Sequence, residues 1–525
     1  MALIKQTASV SALTLSSRML GVVRDACIAM ILGTTAVSDA FFIAFRPFDL
    51  LRKMFSDGVF SISFIPPFSR YVQTGRQEEA VSMVTSALGI LSVMSAVLIL
   101  AGWFLAPWVL PVMAPGFSPG GDQLSLTLTL FKIMMPYLWV ILMISVCMGV
   151  LNTLGNFWVP GSTPMVFNLV VILCALMATG FMSEPVIGIA MGVIVGGGVQ
   201  LAFQIPFMVR NGMVKPARFV WFHPKVTDSL KKMIPCMVGA SPYQVNMLVI
   251  SFMASFLVDG SVSCLYYADR LIQFPVALIA VSVSTVLLPF FSRKAAAGEI
   301  THIRDVFDSG IRLAVFVAIP AMAGLMILNE PIVKLLFGQG EFDTPAVIRT
   351  AEYLLYLAPG MGAFIGTRLL VTLHYALDST WYPFHAGLIA MGLNLVCAPV
   401  LMSFMGGQGL ALAVTVSSMA GFFFLMGHSP AGINLSTTGI LVSGCRALFL
   451  SAIMSFFIQG AKQFFLFDGE SKLLLGAQVM ACVLLGMGIV LIGARMLRLP
   501  EVTMAGQLLR KRCVTEEKGI SHGPH

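Results

Sequence analysis

Three ionisable side chains stand within one short stretch of an apolar segment: "SSRMLGVVRDA", Ser16 to Ala26, carries Arg18, Arg24 and Asp25. At about 100° per residue, Thr14, Ser17, Arg18, Gly21, Arg24 and Asp25 fall on one side of a helix. Leu15, Met19, Val22 and Ala26 take the other. A charge at the centre of a bilayer costs upward of about 2.5 kcal/mol, so such a stripe faces a wet interior or a buried partner. Guanidinium groups bind phosphate oxygens through paired N–H donors, which makes anion recognition the chemistry this stripe suits. The alternative is a structural tie, with Arg18 or Arg24 neutralised by Asp25 or Asp39.

The next segment, "SDAFFIAFRPFDLLRKMFSDG", continues the pattern: Asp39, Arg46, Asp49 and Lys53 share a face, with Arg52 off that stripe. Pro47 removes a backbone donor and is expected to kink the helix. Arg52 and Lys53 could instead snorkel to an interface. Further along, "YYADRLIQFP" brings Asp269 and Arg270 into another apolar run. Several arginines converging would suit an anion with more than one phosphate.

The elements that must hold these residues are membrane helices. The 525 residues are 58% hydrophobic and only 11% charged, outside the range of soluble domains. Apolar runs of about 20 residues or more exclude a β-barrel. Fourteen helices are expected, at 8–32, 36–64, 83–112, 125–151, 160–182, 186–209, 233–257, 263–291, 310–329, 347–373, 383–403, 408–427, 440–460 and 473–495. With both termini in the cytoplasm, eighteen Lys and Arg fall in inside segments against Lys334, Lys462 and Lys472 outside, as the positive-inside rule requires. The net charge of +8 is therefore topological, and no nucleic-acid partner is expected.

An internal repeat organises the chain. "IPPFSR" (65–70) recurs as "LPFFSR" (288–293), "FFIAFR" (41–46) as "LYYADR" (265–270), and "WVP" (158–160) as "WYP" (381–383). One offset spanning six helices implies parallel repeats, which in transporters flank a central substrate site. The expected division is an N-lobe over 1–220, a C-lobe over 221–435, a terminal helix pair over 436–498 and a polar cytoplasmic tail over 499–525.

Other features carry less. The nine Cys contain no CxxC pair, the seven His no HExxH, and no Walker A motif occurs, so no metal, cofactor or ATP hydrolysis is expected. No nucleophile–base pair stands out, so an enzyme is not expected. Arg18, Arg24 and Asp25 interrupt any signal-peptide core. Gly188, Gly192 and Gly196 form a small-residue ridge for helix packing. Lys132, Arg312, Arg349 and Arg446 read as snorkelling residues. Arg368 with Asp378 could pair or couple to an ion, and Gln244 and Asn246 could line a cavity or bond across helices.

The segments "SRMLGVVRDA", "SDAFFIAFR", "LLRKMFSDGVFSISFIP" and "YYADRLIQFP" resemble the signatures of the MurJ/MviN lipid II flippases, within the multidrug/oligosaccharidyl-lipid/polysaccharide exporter superfamily. The resemblance covers essentially the whole chain. It implies flipping of lipid II, an undecaprenyl-pyrophosphate-linked disaccharide–pentapeptide, from the cytoplasmic to the periplasmic leaflet of the inner membrane by alternating access, in service of cell-wall synthesis. Carried over by position, the central-cavity residues are Ser17, Arg18, Arg24, Asp39, Arg52, Asp269 and Arg270, flanked by Asp25, Arg46, Asp49 and Gln273. An acidic residue is usual at Gln273, Asp57 stands where Glu is common, and "HYALDSTWYP" (374–383) matches only loosely. The terminal pair is implied to hold the prenyl tail. The partners implied are lipid II, membrane lipids and the cell-wall synthesis machinery, with the membrane potential, Na⁺ or H⁺ as the energy source. A polysaccharide-precursor or multidrug exporter is the alternative, but a cationic-drug pump would need carboxylates or aromatics to dominate the cavity.

Overall fold

The computed structural model describes residues 2–56, 59–215, 220–221, 223–296, 300–377, 379, 381–429, 437–464 and 471–499. Among them the chain is helical throughout, joined by short turns. It divides into two compact units.

The first unit spans Ala2–Ser263 with Gln339–Asp343. It contains α1 (Ala2–Leu32), α2 (Ala36–Ser56), α3 (Val59–Gln73), α4 (Gln77–Met113), α5 (Asp122–Met134), α6 (Tyr137–Thr153), α7 (Trp158–Phe181), α8 (Pro185–Arg210) and α9 (Pro224–Ala254). The second unit runs over Cys264–Gly338 and from Thr344 onward. It holds nearly all of α10 (Ser261–Ala296), then α11 (Ile300–Ile327), α12 (Asn329–Leu336), α13 (Thr344–Leu357), α14 (Met361–Ala376), α15 (Trp381–Met405), α16 (Gly407–Gly427), α17 (Thr437–Phe464) and α18 (Lys472–Met496). The first unit extends to Ser263 because α9 packs on α2, α3 and α4.

Ten helical spans among the described residues are long and apolar enough to cross a bilayer. The fourteen expected helices include four others, corresponding to α1, the α2–α3 stretch, α9 and α10. α2 alone carries Asp39, Arg46, Asp49, Arg52 and Lys53. Within the 36–64 run the described residues form α2, which passes through Pro47, and α3. Asp57 lies outside the described residues. The 125–151 run breaks between Met134 and Tyr137, where Pro136 has no N–H to donate. The 347–373 run breaks at a short 3₁₀ turn, Ala358–Gly360.

α7 and α15 carry the two copies of the repeated tripeptide, with Trp158 and Trp381 in the first described turn of each.

Close helix packing follows from small residues. A Cβ added at Gly188 would collide with Ala178, at Gly192 it would lie 2.7 Å from the Cys174 Cβ, and at Gly196 3.2 Å from Phe167. The glycine ridge of α8 is thus an α7–α8 packing seam. In the second unit α17 packs on α11 and α18 through a cluster that includes Phe316, Ala447, Leu450, Met454, Cys482 and Val490. Their opposite faces expose Leu448, Phe456, Leu484 and Leu491. Arg312 does not snorkel alone: it pairs with Asp308 one turn earlier, and Gly439 of α17 presses against its guanidinium.

Candidate functional site

α1 is buried along one side against α7, and its charged stripe meets that helix. Arg24 and Asp25 are both buried, at 6% and 1% exposure. Arg24 donates from Nε (3.0 Å) and Nη2 (2.6 Å) to Asp25 Oδ1. Its Nη1 donates to Asn168 Oδ1 at 3.1 Å, while Asn168 Nδ2 donates to the Ser17 carbonyl at 3.2 Å. Two adjacent opposite charges on one helix would be costly to bury unsatisfied. The Asn168 amide takes up Arg24 on one side and ties it to the α1 backbone on the other. Ser17 is half-buried and Arg18 exposed on the same stripe.

A second cluster lies one helix on. Asp49, 2% exposed, accepts from Arg52 Nη2 at 2.6 Å and from Lys53 Nζ at 2.8 Å. These are the i,i+3 and i,i+4 spacings that bring side chains together on a helix, so Arg52 joins the stripe it was expected to miss. Its guanidinium sits 6.0 Å from the Phe167 ring centroid. Phe167 stacks on Tyr137, centroids 5.7 Å apart, and the Tyr137 ring rests on Gly197, where a Cβ would come within 2.6 Å. Phe167 and Asn168 are neighbours on α7, so the Arg52 and Arg24 clusters meet the same turn of that helix. Arg46 donates from Nη2 to the Met247 carbonyl of α9 at 3.2 Å.

Asp39 is engaged differently. At 2% exposure its Oδ2 accepts the Gly260 N–H (2.7 Å), and its Oδ1 accepts both the N–H and the hydroxyl of Ser263 (2.8 Å each). The carboxylate thus caps the start of α10, satisfying amides with no intrahelical partner and meeting the positive end of the helix dipole. Ser263 is the repeat counterpart of Asp39, 224 residues on. Around this cap the backbone is packed to contact. Gly33 (φ +58) abuts the Glu341 carbonyl, Gly260 (φ +87) that of Thr34, and Gly340 (φ +57) that of Met30, while Glu341 N–H donates to Met30 O at 2.9 Å. Any Cβ at these three positions would clash as well as strain the left-handed backbone.

In the second unit, α10 carries Asp269, Arg270 and Gln273, all partly exposed. Arg270 Nη2 donates to the Tyr266 hydroxyl at 2.6 Å and its guanidinium lies 5.1 Å from the same ring centroid. Gln273 Nε2 donates to Asp269 Oδ2. An acidic side chain at 273 could make that bond only when protonated, so the amide gives Asp269 a donor on its own helix.

The structure therefore gathers Ser17, Arg24 and Asp25 at one point and Asp49, Arg52 and Lys53 at a second. Asp39 stands at the α10 N-terminus, and Asp269, Arg270 and Gln273 form a set of their own. Asn168, Phe167 and Tyr137 went unnoticed in the sequence. Only Asn168 carried a signal, a lone amide in an apolar run. Asn246 is buried, Arg368 is exposed, and Asp378 and the Gln244 side chain lie outside the described residues. Among the described residues no group of His, Cys, Asp and Glu could hold a metal ion.

Buried arginine–carboxylate pairs set into closely packed apolar helices, with ten spans among the described residues long and apolar enough to cross a bilayer, are those of a multi-pass membrane protein that keeps charge inside its body. The chain belongs to the lipid II flippase MurJ family, whose model matches residues 28–477. It is 38% identical over 426 residues to a Vibrio cholerae protein named "Probable lipid II flippase MurJ", covering 79% of this chain and 81% of that one. In fold it is similar to the solved structure "Lipid II flippase MurJ, inward closed conformation", with a TM-score of 0.80 at 24% identity, over 93% of this chain and 99% of the other. An inward-facing multidrug resistance MATE family transporter shares the architecture more distantly, with a TM-score of 0.65 at 12% identity over 83% and 98% of the two chains.

Proposed function

We propose that this multi-pass inner-membrane protein is a lipid II flippase, carrying the undecaprenyl-pyrophosphate-linked precursor from the cytoplasmic to the periplasmic leaflet by alternating access. The observation that carries this reading is family membership over residues 28–477, with relatives at up to 38% identity bearing that name. The charge balance supports it. Between Ser17 and Lys53 five basic side chains face three carboxylates, an excess that suits a pyrophosphate and not a cationic drug. The multidrug alternative rests on fold likeness at 12% identity.

In this reading Arg18, Arg24, Arg52 and Arg270 supply the donors for the pyrophosphate oxygens, replacing the water that the headgroup loses. Asp25 and Asn168 hold Arg24, and Asp49 and Phe167 hold Arg52. Asp39 organises the α10 start and reaches the substrate only through it. No covalent step and no cofactor are called for. The membrane potential, Na⁺ or H⁺ resets the carrier, and about 2.3 kcal/mol per charge per 100 mV is enough to bias the cycle. Both termini are cytoplasmic, the terminal helix pair follows the prenyl tail, and the product is handed to the cell-wall synthesis machinery.

The test is rescue of bacterial cells depleted of their own lipid II flippase. Growth and normal shape on expression of this chain are expected. Failure of a well-expressed, membrane-inserted chain to rescue would sink the assignment.

A further inference from the structure

Lys132 is a cation that neither charged cluster uses. It lies on α5 ten residues below Asp122, about 15 Å along the helix at 1.5 Å per residue. Trp103 lies on α4 ten residues before that helix ends at Met113, at a matching depth. The two meet at the α4–α5 seam. The Lys132 ammonium sits 5.8 Å from the Trp103 ring centroid, and the Trp103 indole N–H donates to the Lys132 carbonyl at 3.1 Å. That second bond fixes the ring on the lysine's own backbone turn.

The pair faces outward. Trp103 is 51% exposed, and Pro136 and Trp139 continue the same exposed face below it. Trp139 spends its indole N–H on Ser92 Oγ at 2.9 Å. Above Lys132 the exposed side of α5 carries Thr129 and Ser125, and the Thr129 hydroxyl bonds back to the Ser125 carbonyl at 3.0 Å. Among the described residues of α4, α5 and α6 no carboxylate is paired with Lys132. Asp122 is the sole acidic residue of α5, α6 has none, and those of α4, Glu78 and Glu79, lie at its opposite end. Among the described residues no ion pair involves Lys132. A lysine in the apolar belt, held by an aromatic ring and unmatched by an acid, is a site awaiting an anion.

We propose that Lys132 and Trp103 form a binding site for the phosphate of an anionic phospholipid in the leaflet at the Met113/Asp122 end of these helices. The ammonium reaches up its stem to the phosphate, and the indole packs against the glycerol and upper acyl chain, the position amphipathic aromatic side chains favour. The lipid held here is resident and does not cross the membrane, so the site stands apart from the charged stripes of α1 and α2.

The test places the full chain in phosphatidylcholine nanodiscs doped with acyl-brominated phosphatidylglycerol or acyl-brominated phosphatidylcholine. It reads the quenching of Trp103 as the difference between the chain and Trp103→Phe. Brominated phosphatidylglycerol is expected to quench at about fivefold lower mole fraction, the preference one basic group near a charged surface supplies. Lys132→Gln should remove that preference and Lys132→Arg should keep it. Equal quenching by the two lipids, no quenching at all, or an undiminished preference in Lys132→Gln would each overturn the proposal. Should Lys132→Gln fail to assemble, the wild-type preference is followed from low to high salt: a fall supports the site, and a salt-independent preference overturns it.

Discussion

Arg18 and Arg24 sit six residues apart on one stripe in different surroundings. Arg24 is buried in bonds to Asp25 and Asn168, while Arg18 is exposed. Asp25→Ala leaves a buried guanidinium without its counter-charge, and removing one partner of a buried pair costs about 3–5 kcal/mol. Arg18→Ala, at an exposed position, is expected to cost less stability than Asp25→Ala while lowering transport. Thermal unfolding in detergent alongside a transport assay separates the two; equal destabilisation by both would contradict the assignment. The pairing of Arg24 was one of two alternatives open in the sequence. What the sequence could not carry was Asn168, 144 residues away, because helical periodicity orders side chains within one helix and says nothing of which helix lies opposite. The same holds for Asp39, whose partners are the amides of a helix start more than 220 residues on.

At the scale of elements, α8 offers a contrast between neighbours. A Cβ at Gly197 would meet the Tyr137 ring that backs Phe167 and Arg52, whereas Gly198 has nothing within 4 Å. Gly197→Leu is expected to cost about 1–3 kcal/mol or more through overpacking. Gly198→Ala is expected to be neutral or to stabilise by about 0.5–1 kcal/mol, since alanine loses less entropy in a helix. A midpoint shift of the opposite order in a thermal melt would refute the stack. Just outside the membrane segments, His223 precedes α9 and is nearly buried. Burial holds its imidazole below the usual range, and Lys225 pushes the same way. The folded form therefore disfavours the proton: stability is full above the usual imidazole range and falls as pH drops through it, because the unfolded chain is protonated first. His223→Gln should flatten that slope, measured as unfolding midpoint against pH; an unchanged slope would remove His223 as its source. The apolar runs located the helices well, but the breaks at 135–136 and 358–360 were invisible. A run stays apolar across a break when both pieces are buried, and a proline inside a run can be accommodated, as Pro47 is, or end a helix, as Pro136 helps to do.

Over the whole molecule, the repeat offset was the sequence feature of longest range. α7 and α15 both carry the repeated tryptophan in their first described turn, and Asp39 bonds Ser263, its counterpart at that offset, within the first unit. That junction is built on three glycines in left-handed conformations, each against a backbone carbonyl. Gly260→Ala, with φ +87, is expected to lose at least the 1–2 kcal/mol of a left-handed residue and to lower the yield of folded chain in the membrane. Normal yield and melting would mean that the junction gives way easily.

The central claim is that these arginines carry a pyrophosphate lipid across the membrane. Its most direct measurement is leaflet-resolved lipid II in cells depleted of their own flippase, scored by how much becomes accessible from the periplasmic side. Wild-type chain should restore that accessibility, and Arg18→Ala or Arg270→Ala, at equal membrane levels, should reduce it at least about tenfold, the worth of one charge-assisted contact. Full accessibility with either variant, or none with the wild-type chain, would contradict the account.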